Sequence, residues 1–278
     1  MGFLDRKVEK AHIFKFTIQL LLVYRKDITN MGNNLLGNIV LEKYFIAYID
    51  VLGYKEYVYS GENNALHLSQ TIRKTIDFIN ARNVEAKQLD DEYVYKFRCF
   101  SDNFILCSEK HDNSLIEDIA WLQFNLALDN VFVRGSFSFG ELHFDNDFIF
   151  GKGIINAHKL ESSIAIYPRV VVDSKYLLGN KDIPNGAIVI TEGFGHFKTD
   201  FDGAVFIDYL NIVKLKCDIG HWSLPECFLS ALEKHRAKIM ENIAHNLNQP
   251  AVLQKYLWLR NYHNSFCLEH DEYGDVLI

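Results

Sequence analysis

KYFIAYIDV, residues 43–51, is the run from which the architecture can be built. Aromatic and β-branched residues dominate it, so it reads as a buried strand. One acid, Asp50, stands near its end, and Gly53 breaks it two residues later. Downstream, Leu66, Leu68, Ile72, Ile76, Phe78 and Ile79 recur close to helical spacing within residues 63–83. The run YVYKFRCFSDNFILCS, residues 93–108, reads as two strands joined by a tight turn at Ser101, Asp102 and Asn103. A second apolar helix is expected over 113–129. The strand VFVRGSFSFGELHF, residues 131–144, then runs into a short hairpin through 145–147. The order is β-α-β-β-α-β. The expected fold class is therefore α+β, a ferredoxin-like βαββαβ unit whose antiparallel sheet carries two helices on one face.

Further along, the sequence predicts a helix over 151–161 and strands over 169–172, 187–191 and 204–208. From Pro225 onward there is no strand signal. EKHRAKIMENIAHNL (233–247) and QKYLWLRNYHNSFCLEH (254–270) read as two helices, with Pro250 between them. The expected organisation is an N-terminal extension over 1–38, a catalytic domain over 39–215 and a helical C-terminal extension over 216–278. Met31 stands just before the first convincing strand, so residues 1–30 read as an extra helix or as an over-called start.

Composition narrows the class. The 278 residues are 49% hydrophobic and 14% aromatic, which excludes disordered, collagenous and low-complexity chains. A net charge of −7 argues against general nucleic-acid binding. The five cysteines fit neither a zinc site nor a CxxC pair, and a reducing cytoplasm is expected. The apolar stretch from Phe14 to Tyr24 contains Lys15, Thr17 and Gln19 and falls short of the ~20 apolar residues that span a bilayer. No membrane partner is expected.

Two aspartates carry the chemistry. A lone carboxylate in an apolar strand is costly to bury unless it is paired, protonated or bound to a metal. Asp50 ends such a strand and Asp102 lies at the tip of an apolar hairpin. In a β-α-β-β-α-β sheet the first strand neighbours that hairpin, so the two carboxylates are expected to face one another. Two like charges so placed invite a divalent cation, and oxygen ligands favour Mg²⁺ or Mn²⁺. Taken singly, each reads more simply as a turn residue.

In these segments the chain resembles the catalytic domain of class III nucleotide cyclases. FIAYIDVLGY (45–54) is similar to that family's first strand, where an aspartate precedes a hydrophobic pair, a glycine and an aromatic. KFRCFSDNFIL (96–106) resembles its hairpin with the second metal aspartate. VRGSFSFGELHF (133–144) resembles its arginine-glycine strand, and FGKGIINAHKLES (150–162) its helix, which begins after a glycine and ends in a leucine-glutamate pair. The LES helix end followed by IYPRVVVD (166–173), and DGAVFIDYL (202–210), look like the bacterial Pycsar cyclases. The resemblance spans about residues 43–210.

The resemblance implies two divalent cations, Mn²⁺ or Mg²⁺, held by Asp50, Val51 and Asp102. A ribose 3′-hydroxyl attacks the α-phosphate and pyrophosphate leaves. Such a reaction needs metals and fixed cations more than a strong base, because charge builds on phosphoryl oxygens. Gly53, with Tyr54 beside it, fits a backbone approach to phosphate or a plain turn. The family places asparagine and arginine four and eight residues after the helix-opening glycine. Here those positions hold Ile155 and Lys159, with an asparagine one step later at Asn156. Lys159 and Asn156 are carried over as the catalytic candidates, Lys159 without bidentate geometry. Arg134 reads as support for the triphosphate or as a partner for a carboxylate.

The base-reading positions hold Arg98 and Lys152, two cations that match neither purine pattern. Uracil offers acceptors at O2 and O4, which suits a donor such as Arg98. UTP or CTP is thus the implied substrate, cyclic UMP or cyclic CMP the product, and a separate effector its target in antiphage defence. Because the family's sites form head to tail between two catalytic domains and this chain holds both residue sets, a homodimer is expected. A purine cyclase and a catalytically weak nucleotide-binding module are the alternatives. His263, Cys267 and His270 could share a helix face, but polar decoration is the simpler reading. Lys214 and Lys216 are expected on a later strand.

Overall fold

In a computed structural model, residues 39–88, 95–109, 113–177, 196–224 and 226–278 are described. The expected N-terminal extension over 1–38 and the strand expected at 187–191 lie outside them. The chain divides into Met1–Leu41 and Glu42–Ile278, and the elements below belong to the second unit.

The run read first forms β1, Glu42–Val51. Its burial explains its composition: Phe45, Ala47, Ile49 and Val51 pack into the main core, while Tyr44 and Ile46 pack into a smaller one on the other face. A strand covered on both sides has no need of polar alternation. After β1 come α1 (Tyr54–Tyr59) and α2 (Glu62–Gln88). The hairpin β2 (Lys96–Phe100) and β3 (Asn103–Ser108) leads to α3, Asn113–Leu128. Next are β4 (Val133–Phe144), β5 (Ile149–Phe150) and α4 (Lys152–Ile164). β6 (Val170–Val172), the short α5 (Ser174–Leu177), β7 (Phe197–Thr199) and β8 (Val205–Ile207) follow. The chain ends with α6 (Tyr209–Asp218), α7 (Phe228–His245), α8 (Pro250–Glu269) and a 3₁₀ turn, Asp271–Val276.

The protein is α+β. Among the described residues the strand order is β2-β3-β1-β4-β6-β8-β7, with β5 paired to β4. Within the unit β2-β3-β1-β4 every pairing is antiparallel, as expected, while the additional strand β6 runs parallel to β4, so the open sheet as a whole is mixed. The parallel step arises because α4 carries the chain back to the end of the sheet where β4 begins, joining Gly135 to Val170. Helices α2 and α3 supply Leu68, Ile79, Leu115 and Ile119 to the main core. A third helix, α4, covers the opposite face and contributes Ala157 to the smaller core with Tyr44, Ile46 and Leu142.

Glycine permits α4 to lie so close. A Cβ on Gly140 of β4 would stand 2.8 Å from the Gly153 Cα, and one on Gly153 would meet the Glu141 carbonyl oxygen at 3.1 Å. Serine completes the fit, since the Ser136 hydroxyl donates to the Ala157 carbonyl at 2.8 Å.

The C-terminal helices join the main core through Leu232, Ile239, Leu259 and Phe266, and position 215, the expected end of the catalytic domain, falls inside α6. Lys214 and Lys216 therefore sit on a helix, not on the expected strand. The residues YLNIV at 209–213 carry buried positions at helical rather than alternate spacing, which decides the element. Two segments singled out separately meet here. The guanidinium of the fully buried Arg169 is paired with Asp200 and with Asp202, the latter at 2.5 Å, and Trp258 Nε1 donates to Asp200 at 2.7 Å. A second buried polar chain links the Tyr209 hydroxyl to His235 at 2.7 Å, and His235 to His263 at 3.0 Å. Among the described residues no helix is long and apolar enough to cross a membrane.

Candidate functional site

Directly opposed residues of an antiparallel pair project to the same face. Asp50 is opposite Asn103 on β3 and Arg134 on β4, while Tyr48 is opposite Ile105 and Ser136. Arg98 on β2 is also opposite Ile105. Asp50, Tyr48, Arg98 and Arg134 thus share the face covered by α4.

Asp102 does not stand directly across from Asp50, as the strand order alone suggested. It belongs to the turn and lies one step further on, where its carbonyl accepts from the Val51 N–H at 2.8 Å. Ser101 takes φ 56°, closing the hairpin in two residues. The Asn103 side-chain amide donates to Asp102 Oδ1 at 2.9 Å. The negative charge of Asp102 acts on Asp50, Tyr48 and Glu161, so despite the offset it lies within electrostatic reach of that cluster.

Arg134 is the centre of the ionic arrangement. Its Nε donates to Asp50 Oδ2 at 3.0 Å, and its Nη2 lies 2.9 Å from Glu161 Oε1. Glu161 is only 3% exposed, and that same oxygen accepts no hydrogen bond. Burial pushes the Asp50 carboxyl above its ordinary pKa, and the charge of Asp102 adds to the shift while Arg134 opposes it. Glu161 is raised for the same reasons, burial first, with Asp50 and Asp102 both contributing. Lys255, reaching in from α8, has its pKa lowered by burial and then by the positive charge of Arg134. One guanidinium thus pairs with two carboxylates, Asp50 and Glu161, while the charge of Asp102 acts on both and Lys255 is a further cation in reach of Asp50.

The donor set limits what that cation can be. Among the described residues no group of three or more His, Cys, Asp or Glu side chains is placed to hold a metal ion. Asp50 and Asp102 are two carboxylates, and the Val51 side chain is buried in the core, which leaves only its backbone carbonyl as a donor. Such a set fits Mg²⁺ or Mn²⁺ bound by one or two carboxylates together with water and substrate phosphates. It does not fit an ion enclosed by protein ligands alone.

The other candidates lie further apart. Gly53 is exposed at φ 73° and opens α1, and Tyr54 leans on the main core. Arg98 donates to the Asp145 carbonyl at 2.6 Å and lies over the Phe144 ring, beside a cavity at the sheet edge. Lys152, Asn156 and Lys159 are exposed on the outer side of α4, because Gly153, Ala157 and Glu161, spaced by four, occupy the side facing the sheet. The helix therefore does not bring Lys159 or Asn156 onto Asp50 within one chain. Lys214 pairs with Asp218 at 2.6 Å and Lys216 with Glu117 at 2.7 Å. His263 bonds the Val276 carbonyl at 2.9 Å, which gives it a structural role.

Sequence reading missed Glu161, Tyr48 and Lys255. Glu161 had a signal: it continues the small-residue stripe Gly153, Ala157 at four-residue spacing, so it had to face the sheet. Tyr48, whose ring meets His158 edge-on at 5.4 Å, lies two residues before Asp50 and shares its face. Lys255 had none, since its approach depends on how α8 crosses the sheet. Comparison of the chain with protein-family models gives no match, and comparison with curated proteins gives none either.

Proposed function

We propose that this chain is a nucleotide cyclase that converts a pyrimidine nucleoside triphosphate, UTP or CTP, into its 3′,5′-cyclic monophosphate and pyrophosphate. The observation that carries the reading is Asp50, bonded to Arg134 at one end of the sheet on the face covered by α4, with the charge of Asp102 acting on it from the adjoining turn. The strand order β2-β3-β1-β4, with α2 and α3 on one face, is what a ferredoxin-like βαββαβ unit requires and supports the cyclase-like fold. Asp50, Asp102 and the Val51 carbonyl would hold Mg²⁺ or Mn²⁺, which supplies charge neutralisation at the phosphoryl oxygens when bound. The O3′–phosphorus bond forms as the bond to pyrophosphate breaks, and the hydroxyl proton passes to solvent.

Arg134 orients Asp50 and favours its carboxylate form against the burial that raises its pKa. Lys159 and Asn156 face outward, so their part in catalysis requires a second copy. The exposed apolar side chains Phe148, Phe150 and Ile155, adjoining them in sequence, support that face as the dimer contact. Arg98 and Lys152 are the proposed readers of base carbonyls. The product would act on a separate effector in antiphage defence, in the cytoplasm. A second reading, a nucleotide-binding module without turnover, is favoured by the ion pair that already engages Asp50 Oδ2.

One experiment separates them. The purified chain is incubated with each of four nucleoside triphosphates and Mn²⁺, and the products are resolved. A cyclic pyrimidine nucleotide supports the first reading, a cyclic purine nucleotide overturns the base assignment, and binding without product supports the second. Asp102→Ala abolishes product in either enzymatic case. Mixing Asp50→Ala with Lys159→Ala chains restores partial activity if sites are shared, and no rescue in a verified heterodimer refutes the shared site.

A further inference from the structure

Packing turns one side of α8 to the core, where Leu259, Tyr262 and Phe266 are buried. Lys255 precedes them on the same helical stripe and is itself half-buried. Its neighbour Tyr256 packs edge-on against Phe132 at 5.6 Å, and Phe132 stands directly before β4 and accepts from the Leu52 N–H at 2.9 Å. Lys255 therefore lies at the end of the sheet where β1 stops and β4 starts, the end that carries Asp50 and Arg134.

Among the described residues Lys255 makes no ion pair and no hydrogen bond, whereas Arg134 pairs with both Asp50 and Glu161. Burial and then the charge of Arg134 hold the Lys255 pKa below its ordinary value, with Asp50 and Glu56 opposing. A lysine withdrawn from water normally has a counter-charge, so an unpaired one beside a second cation is a place for an anion. The acids narrow the anion's chemistry. A bare anion is repelled by Asp50 and Asp102, while a metal-bound phosphate chain brings cations for the carboxylates and offers its remaining oxygens to the ammonium. We propose that Lys255 binds phosphate oxygens of the metal-bound triphosphate, so that the C-terminal helix contributes directly to the nucleotide site of its own chain. The inference rests on the cyclase reading for the identity of the nucleotide and not for the phosphate contact itself.

The probe is inorganic tripolyphosphate with Mg²⁺, which has the phosphate chain without base or ribose and cannot be cyclised. Titrated calorimetrically into the full chain, it binds saturably. Lys255→Met weakens binding about ten-fold, the scale of one hydrogen bond to a charged group. Lys255→Arg keeps the charge and stays within about three-fold of the wild type. Without tripolyphosphate, Lys255→Met melts at or above the wild-type temperature, because it removes a half-buried cation that has no partner. A lysine that only balances Asp50 gives the opposite pair of results, a lower melting temperature with unchanged affinity. Unchanged affinity in Lys255→Met overturns the contact at any melting temperature, and so does the absence of saturable binding to the wild type. Binding that depends on Lys255, in a chain that forms no cyclic nucleotide from any triphosphate, upholds the phosphate contact and overturns turnover instead.

Discussion

Replacing Gly140 by alanine tests whether α4 is seated on the sheet by contact between backbones. In the middle of a strand, alanine in place of glycine ordinarily stabilises by about 0.5–1 kcal/mol, because less chain entropy is lost on folding. Here the added Cβ would stand 2.8 Å from the Gly153 Cα. Carbon atoms rest at about 3.5–4.0 Å, so α4 and β4 must part by roughly 1 Å. Overpacking of this kind costs about 1–3 kcal/mol. Set against the entropic gain, the net is a destabilisation of about 1–2 kcal/mol. For a folded unit of ~150–250 residues, each kcal/mol lowers the melting temperature by about 2–4 °C. Thermal unfolding followed by circular dichroism should therefore show a fall of roughly 3–6 °C. Urea unfolding should show a lower midpoint with an unchanged slope. Lifting α4 also draws Glu161 from Arg134, so any cyclase activity should fall more steeply than stability. A melting temperature equal to or above that of the wild type would refute the close seating and, with it, the placement of Glu161 beside Asp50.

Arg134→Met leaves the buried Glu161 and the partly buried Asp50 without their counter-charge and should cost about 3 kcal/mol by urea unfolding near neutral pH. Most of that loss should vanish in acid, where both carboxyls are protonated, and an equal loss at both pH values would refute the pairing. Burial raises the folded-state pKa of Asp50 and Glu161, so their contribution is fully present below the unfolded carboxylate values and is lost as pH rises through the folded ones. The double variant Asp50→Asn with Glu161→Gln should flatten that decline in a melting series from acid to neutral pH, and an unaltered slope would count against it. Arg169→Met strands Asp200 and Asp202 and should destabilise by about 3–5 kcal/mol, measured by denaturant midpoint. A change under about 1 kcal/mol would mean the two aspartates find water instead.

Local pattern made much of this molecule readable from its residues. The aromatic, β-branched run at 43–51 could only be a packed strand, and the periodicity of α2, α3, α7 and α8 followed from the need to bury one helical face. Asp50 and Asp102 stood out because a carboxylate next to an apolar strand demands a reason. Contacts distant along the chain had no such trace. The one-residue offset of Asp102 depends on the backbone of Ser101, the bridge from Arg134 to both Asp50 and Glu161 on the way α4 rests on glycine, and the parallel step of β6 on the path of a whole helix. Lys214 and Lys216 illustrate the limit, since alternate lysines satisfy a strand pattern and a helical one alike until the buried face is known. Charge balance at the carboxylates likewise arises from packing between segments far apart in sequence, where three-dimensional proximity rather than spacing sets the energy.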